Sequence, residues 1–303
     1  MYSVPEELLE ILERDYDYET IDRILASGDS DRPTAIRVNT EKISVTAFSE
    51  KLRQNGITVE RGSMNDTSLL ISGYDYIRKV PGFFDGEFVV QDQSSCLAVK
   101  AAGINEGDLV VDVCAAPGGK TMYAAMLTGS EGHVISRDLI DKKTELIEEN
   151  IERLGLSNVT VQVHDAREFD EELTGKADVV IADLPCSGLG IMGRKNDIKY
   201  HVSMESVKEL AQLQREILDT VCRYVKPGGT LVYSTCTIDS IENDENAVWF
   251  ADTHDFSLCG IDDVVPEHGG ERGFVTLHQG IDECDGFFIS KFRADSNNQI
   301  GQE

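Results

Sequence analysis

The stretch LVVDVCAAPGGKT (residues 109–121) decides the fold. From Leu109 to Ala115 it is a nearly continuous apolar run, the mark of a strand buried on both faces of a parallel sheet. Gly118 and Gly119 then make a strand-to-helix turn, where a ligand can approach the backbone and the following helix offers free N–H groups to a carboxylate or phosphate. The alternation continues on both sides. FVVQD (88–92) precedes a helix from Ser95 to Ala102. Downstream come HVISRD (133–138), a helix from Asp141 to Leu154 closed by Gly155, VTVQVHD, ADVVIADLP, a helix from Met204 to Tyr224, and GTLVYSTC. Such repeated alternation predicts an α/β fold with a doubly wound, Rossmann-like sheet and ligands at the carboxyl ends of its strands.

Residues 1–80 read differently. Helical patterns over Pro5–Arg14 and Glu19–Ser27 precede an extended TAIRVN (34–39), a helix from Ser44 to Asn55 stopped by Gly56, and strand-like ITVE and LLIS. The expected division is a small α+β domain over 1–80, a main α/β domain over 81–295, and a frayed tail over 296–303.

Composition narrows the class. The 303 residues carry 28 Lys+Arg against 55 Asp+Glu, a net charge of −27, with 41% hydrophobic residues, enough to bury a sizeable core. No apolar run approaches the ~18 residues of a membrane span. The amino terminus is acidic and amphipathic, without the basic-then-apolar order of a secretory signal, so a cytoplasmic protein is expected. Seven scattered cysteines, with no Cys-x-x-Cys and no zinc spacing, argue against a disulfide scaffold or a metal site. The acidity stands at first against a nucleic-acid partner, whose affinity rests largely on Lys and Arg.

The unusual residues gather after strands. GGKT supplies only the second half of a phosphate loop, because Cys114 stands where the first glycine is required. Asp138, about twenty residues past the glycine turn, can accept hydrogen bonds from both hydroxyls of a ribose, and equally could cap a helix. Asp165 closes the third strand, where an adenine edge would lie, and equally could be a cap or turn residue. The triple Asp112, Asp138 and Asp165 weighs more than any member. Cys186 follows Asp183 at the end of the fourth strand, and Cys236 follows Ser234-Thr235 at the end of the fifth. A lone cysteine is usually a small buried hydrophobe. Two at equivalent strand ends are harder to read so, whereas Cys96, Cys222, Cys259 and Cys284 lack that context.

These blocks carry a resemblance. CAAPGGKT (114–121), DLPCSGLGIMGRKNDIKY (183–200) and KPGGTLVYSTCTIDSIEN (226–243), with VVQDQSS (89–95), TELIEENIERLGL (144–156) and DGFF (285–288), resemble the signatures of the RsmB/Nop/Sun family of RNA 5-methylcytosine methyltransferases. The likeness runs from about Tyr2 to Phe292. It implies a class I methyltransferase sheet and S-adenosylmethionine held by Cys114, Ala115, Ala116, Pro117, Gly118, Gly119 and Lys120. It further implies that Asp138 binds the ribose, Asp165 the adenine, and that Asp183 lies between cofactor and target base. Cys236 is implied as the nucleophile and Cys186 as the group assisting product release, acting on RNA, with small-subunit ribosomal RNA first and transfer RNA as the alternative. A degenerate phosphate-loop nucleotide hydrolase and a catalytically silent RNA-binding assembly factor are the rival readings.

The chemistry explains two thiols. Carbon 5 of cytosine is too weak a nucleophile to take a methyl group from a sulfonium until a thiolate adds at carbon 6. A free thiol, with a pKa of ~8.5, needs a positive field, for which Lys120 is a candidate. A base near Cys186 would then remove the carbon 5 proton. The target base must leave its stack, which favours single-stranded RNA guided by Arg194, Lys195 and Lys199, with Tyr200 and His201 for stacking and Arg37 as a further backbone contact. DLPC in place of DAPC, Gly193 in place of a second Arg and Asn196 in place of Pro depart from the family pattern. So does the absence of the all-helical NusB-like domain with which RsmB-type members usually begin, which fits either a naturally short relative or a shortened form. A monomer is expected. Residues 184–226 hold seven basic and five acidic residues while 241–303 hold three and fourteen, so the acidity lies mostly away from the proposed RNA face. Unaided affinity for RNA should be modest.

Overall fold

The structure is a computed structural model and describes residues 4–28, 32–266, 268 and 270–296; all of the expected tail but Ser296 lies outside them. The chain opens with helices α1 (Glu6–Asp15) and α2 (Tyr18–Ser27). The Asp17 side chain starts α2 by accepting from Thr20 N at 2.8 Å. Next come β1 (Thr34–Val38), α3 (Val45–Gln54), β2 (Thr58–Arg61), β3 (Ser68–Ser72) and β4 (Phe88–Val90). The four strands form an antiparallel sheet in the order β2-β3-β1-β4. Ile36, Val38, Leu69, Ile71 and Phe88 on its apolar face pack against Phe48 and Leu52 of α3.

Two assignments shift here. The FVV strand, expected with the large sheet, pairs with β1, and its Phe88 completes the α3 core. Nor do α1 and α2 share that core. Their Leu8, Ile11, Leu12, Ile21, Ile24 and Leu25 pack on Leu189, Met192, Val207 and Ile238 of the main α/β unit. Arg14 pairs with buried Asp239 at 2.7 Å, and the Tyr16 hydroxyl donates to the Ile238 carbonyl at 2.5 Å. Residues 4–28 and 34–90 therefore belong to different hydrophobic cores.

The main unit runs α4 (Gln93–Ala102), β5 (Leu109–Asp112), α5 (Gly119–Thr128), β6 (His133–Asp138), α6 (Asp141–Leu154), β7 (Val159–Val163), β8 (Ala177–Asp183), α7 (Met204–Val221), β9 (Val225–Thr235), α8 (Asp244–Thr253), β10 (Phe256–Leu258), β11 (Phe274–Leu277) and β12 (Phe287–Ala294). The sheet order is β10-β12-β9-β8-β5-β6-β7, with β11 also on β12. Strands β5 to β9 are mutually parallel, and β12 runs antiparallel to β9. Both faces are covered. Val111, Val180 and Leu231 pack under Ile217 and Leu218 of α7 and Phe250 of α8. Val110, Ile181 and Val232 pack under Leu97 of α4 and Ala124 of α5. This two-sided burial is why the strands read as unbroken apolar runs. The order reverses between β5 and β8, which opens a crevice at their carboxyl ends.

The apolar run at 109–115 ends as a strand at Asp112, earlier than its hydrophobicity suggests, because Val113 to Ala115 swing across the sheet edge. There Val113 N donates to the Ile181 carbonyl and Ala115 N to that of Arg137. Among the described residues no helix is long and apolar enough to cross a membrane, and no group of His, Cys, Asp and Glu is arranged to hold a metal ion.

Candidate active site

Four carboxylates stand at the ends of successive parallel strands, and each is held differently. Asp112, ending β5, is wholly buried. Its Oδ2 accepts from Thr121 Oγ1 at 2.7 Å, while its Oδ1 has no protein partner. Burial pushes this carboxyl up to about 7, against the opposing pull of Thr121 and Lys120. The turn above it needs its glycine: Gly118 has φ +99°, and a Cβ there would sit 3.2 Å from Ile147 of α6. Asp138, ending β6, braces the turn. Its Oδ2 accepts from Ala116 N at 3.1 Å and its Oδ1 from Ile140 N at 3.2 Å.

Asp165, just past β7, is engaged by its own neighbour. Arg167 donates to it from N, Nε and Nη2 at 2.7–3.1 Å, and these bonds hold its carboxyl below the ordinary range. Asp183, ending β8, accepts from Lys120 Nζ at 2.6 Å and from Ser234 Oγ at 2.8 Å. Burial would lower the Lys120 ammonium, but Asp183 more than offsets it and the net shift is upward. That ammonium also lies 5.1 Å from the centre of the Phe287 ring. A phosphate-loop lysine would point into its anion site, so this pairing with Asp183 weighs against the hydrolase reading.

The two cysteines singled out by sequence meet. Cys186 Sγ and Cys236 Sγ are 3.2 Å apart, carried by the loops leaving β8 and β9. Cys236 is shifted below the ordinary thiol value, first because Cys186 donates to it and, against the opposing effect of burial, with help from Lys120. Cys186 is shifted well above, by the same hydrogen bond and by burial. Of the two sulfurs, Cys236 is therefore the one that ionises first, with Cys186 keeping its proton to donate to it. Lys120 contributes to the field expected of it, but as a smaller influence than the neighbouring thiol. Burial drives Cys114 strongly upward, with Asp112 adding to it, so its sulfur stays neutral. Burial likewise raises Cys96 to about 11 and Cys222 to about 12, as befits core residues.

The loops are locked by a close backbone contact. Gly190 N donates to the Cys236 carbonyl at 3.0 Å, and Gly286 N to the Gly190 carbonyl at 2.8 Å. A Cβ at Gly190 would run into the Gly286 carbonyl and come within 2.8 Å of Cys236 O. Gly190→Ala should therefore lower stability by about 1–3 kcal/mol. Thermal unfolding checks this; an unchanged midpoint would show that the loops are free to move apart.

The expected RNA contacts fare unevenly. Lys195 and Tyr200 are exposed, on and just before the turn at Asn196–Tyr200, with Lys199 half-buried and His201 exposed. Arg194 is half-spent, its Nε donating to both oxygens of Asp285 at 2.8 Å. Arg37 is overturned as a backbone contact. It is 1% exposed, donates to Gln91 Oε1 at 2.7 Å and lies over the Tyr123 ring at 4.3 Å, at the seam between the small sheet and α5. Sequence reading also passed over Glu242, Ser187 and Thr237, which lie under the two thiols. The signal was a carboxylate six residues past Cys236, hidden among the acids of DSIENDE.

A cofactor with a cationic end, a carboxylate and a ribose suits this edge. It offers a buried Asp112 oxygen with no protein partner, a glycine turn at the start of α5, and carboxylates on β6 and beyond. S-adenosylmethionine has those features, and the residues present fit it.

Sheet order, glycine turn and carboxylate edge together define a Rossmann-like methyltransferase. Residues 100–293 match the family described as 16S rRNA methyltransferase RsmB/F, and residues 4–75 match the ferredoxin-like domain of RsmF/B-like methyltransferases. The chain belongs to the RsmB/F methyltransferase family. It is 37% identical over 301 residues to the probable ribosomal RNA small subunit methyltransferase B of Bacillus subtilis (strain 168), covering 96% of this chain and 66% of that protein. It is 32% identical over 285 residues to the ribosomal RNA small subunit methyltransferase F of Escherichia coli (strain SMS-3-5 / SECEC), covering 90% of this chain and 60% of that one. The chain thus spans under two thirds of the length of these curated relatives. A methyltransferase homologue from Pyrococcus horikoshii superposes with a TM-score of 0.78 at 27% identity, covering 96% of this chain and 100% of that one.

Proposed function

We propose that this chain transfers a methyl group from S-adenosylmethionine to carbon 5 of a cytosine in RNA, with small-subunit ribosomal RNA as substrate and Cys236 as the nucleophile at carbon 6. The observation that carries the reading is the thiol pair, 3.2 Å apart, beside the Lys120–Asp183 ion pair at the edge of a methyltransferase sheet. A single buried cysteine would be a core residue; a thiol made more acidic by a second thiol in contact with it is a nucleophile with its partner in place.

Bound S-adenosylmethionine supplies an electrophilic methyl group. Asp112, the turn from Cys114 to Lys120, Asp138 and Asp165 would hold it. Asp183, pinned by Lys120 and Ser234, would accept a hydrogen bond from the exocyclic amine of the flipped base. The Cys236 thiolate adds to carbon 6, and the ring electrons it displaces raise the nucleophilicity of carbon 5. After transfer the carbon 5 proton leaves to a base near Cys186, or to the Cys186 thiolate once solvent water has taken the thiol proton. The electron pair left at carbon 5 restores the ring double bond as the carbon–sulfur bond breaks, returning Cys236 as a thiolate. The cations at Lys195 and Lys199 with the exposed Tyr200 ring serve the RNA strand around the target.

Incubation with labelled S-adenosylmethionine and ribosomal RNA, followed by mapping of 5-methylcytosine, tests the reading; label on transfer RNA alone would redirect the substrate, and none on either would refute it. The cofactor assignment has its own test. Asp138→Ala should weaken S-adenosylmethionine binding about 10- to 100-fold, as for loss of a charged hydrogen-bond acceptor. Asp165→Ala should do less, because Arg167 already occupies that carboxylate. Calorimetric titration separates them, and equal affinities for wild type and Asp138→Ala would remove Asp138 from the cofactor site.

A further inference from the structure

Beneath the two thiols lies a carboxylate that the mechanism above does not use. Glu242 is fully buried between the end of β9 and α7. Its Oε2 accepts from Ser187 N at 3.0 Å and from Gln214 Nε2 at 2.9 Å, and its Oε1 accepts from the Ser187 hydroxyl. The Ser187 oxygen in turn lies 2.7 Å from Thr237 Oγ1, so with Ser187 donating to the carboxylate, Thr237 donates to Ser187. Ser187 directly follows Cys186 and Thr237 directly follows Cys236. Gln214 of α7 also donates to the Pro185 carbonyl at 2.9 Å, one residue before Cys186. One carboxylate therefore gathers the backbone on both sides of one thiol and the residue after the other.

We propose that Glu242 is a positioning residue for the reaction: through Ser187, Thr237 and Gln214 it clamps the two loops so that the Cys186 and Cys236 sulfurs stay in contact. The proposal rests on the reading of Cys236 as nucleophile and Cys186 as its partner. Burying a carboxylate is costly unless it is fully hydrogen-bonded, and an apolar residue would fill the same space without that cost. The polar choice makes sense where three neutral donors from one loop and a helix must converge on one point, with the second loop tied in through the Thr237–Ser187 hydroxyl contact. The ionisable groups that face Glu242 are Asp239 on its own segment, Cys186 from the β8 loop, and Tyr233 and Cys236 from β9 and its end. Burial, the largest influence, holds the Glu242 carboxyl up at about 7, and when ionised it opposes a second negative charge on either sulfur.

The test compares Glu242→Gln, Glu242→Ala and wild type. Glu242→Ala should lose about 10- to 100-fold in kcat, the scale of a displacement of order 1 Å, with KM for RNA and the affinity for S-adenosylmethionine within about twofold. Glu242→Gln keeps the shape and an acceptor oxygen and should recover most of that rate. Two readouts are independent of methyl transfer. Diamide, a thiol oxidant, should join Cys186 to Cys236 rapidly in wild type and Glu242→Gln but at least about tenfold more slowly in Glu242→Ala. Iodoacetamide labelling of Cys236 against pH should have a lower midpoint in Glu242→Gln, where the opposing charge is gone. If Glu242→Ala crosslinks and turns over like wild type, the proposal is overturned. If it loses cofactor affinity together with rate, and Glu242→Gln fails to rescue, Glu242 is a general fold element and the proposal also falls. If wild type methylates no RNA but the crosslinking contrast holds, the clamp stands and the functional reading fails.

Discussion

Cys236→Ala should bring methyl transfer to RNA down by at least about three orders of magnitude, roughly 4 kcal/mol at 1.36 kcal/mol per tenfold, while leaving the protein folded and able to bind S-adenosylmethionine. The size follows from the chemistry. Without addition at carbon 6 the base has no electron density to offer, and no other group described at this edge can substitute: Cys114 is held neutral by burial, and Cys186 sits well above the ordinary thiol value. The same electrostatics set the pH dependence. Because Cys186 donates to Cys236, the proposed nucleophile ionises below the ordinary value of 9.0. The rate should rise with pH as the thiolate forms and level off before that value, while Cys186→Ala, lacking the donor, should push the rise to higher pH. Filter-bound label across a pH series checks both, and a Cys236→Ala variant that still methylates RNA would rule out the covalent route.

Cys186→Ala should have the opposite outward sign, accumulating a protein–RNA species that survives denaturation. With Cys236 intact the adduct forms and the methyl group is transferred. With the partner gone, removal of the carbon 5 proton slows by about 10²–10⁴-fold, the usual contribution of a positioned base, and elimination stalls. The 3.2 Å contact adds a condition. Loss of Cys186 also removes the hydrogen bond that lowers Cys236, so the trapped species should build up faster at pH 9 than at pH 7. Cys186→Ser restores a donor without a good base and should trap adduct readily at neutral pH. Denaturing gels with labelled RNA give the answer. If Cys186→Ala turns over freely, Cys186 has no part in release.

Much of this was legible in the chain because both faces of the sheet are buried. Val110 and Val111, Val180 and Ile181, Leu231 and Val232 face opposite ways into two cores, so their strands leave unbroken apolar signatures. The two cysteines could be found because they stand at equivalent strand ends, and a parallel sheet brings equivalent ends together. What could not be read depends on distant partners. Arg37 looks like a surface cation until Gln91 and Tyr123, more than fifty residues away, close around it. Phe88 begins a run that suits either sheet, and only its pairing with β1 decides between them. Glu242 is chemically indistinguishable from its acidic neighbours in sequence, since what sets it apart is Ser187 and Gln214 arriving from two other elements. The short α8 escaped notice because few of its residues, chiefly Asn246, Ala247 and Phe250, are buried, too narrow a stripe to stand out in an acidic stretch.

The seat of α1 and α2 bears on how the protein could be dissected or rebuilt. These helices roof Leu189, Met192 and Ile238, and Asp15 accepts from both the backbone and the hydroxyl of Ser240, four residues past Cys236. A fragment cut where the small sheet gives way to the large one would contain the strand-end carboxylates and both paired cysteines and still uncover a greasy underside beneath them. A graft of the large sheet onto another substrate-recruiting module must therefore carry this helical pair with it, although residues 28–108 separate the two in sequence.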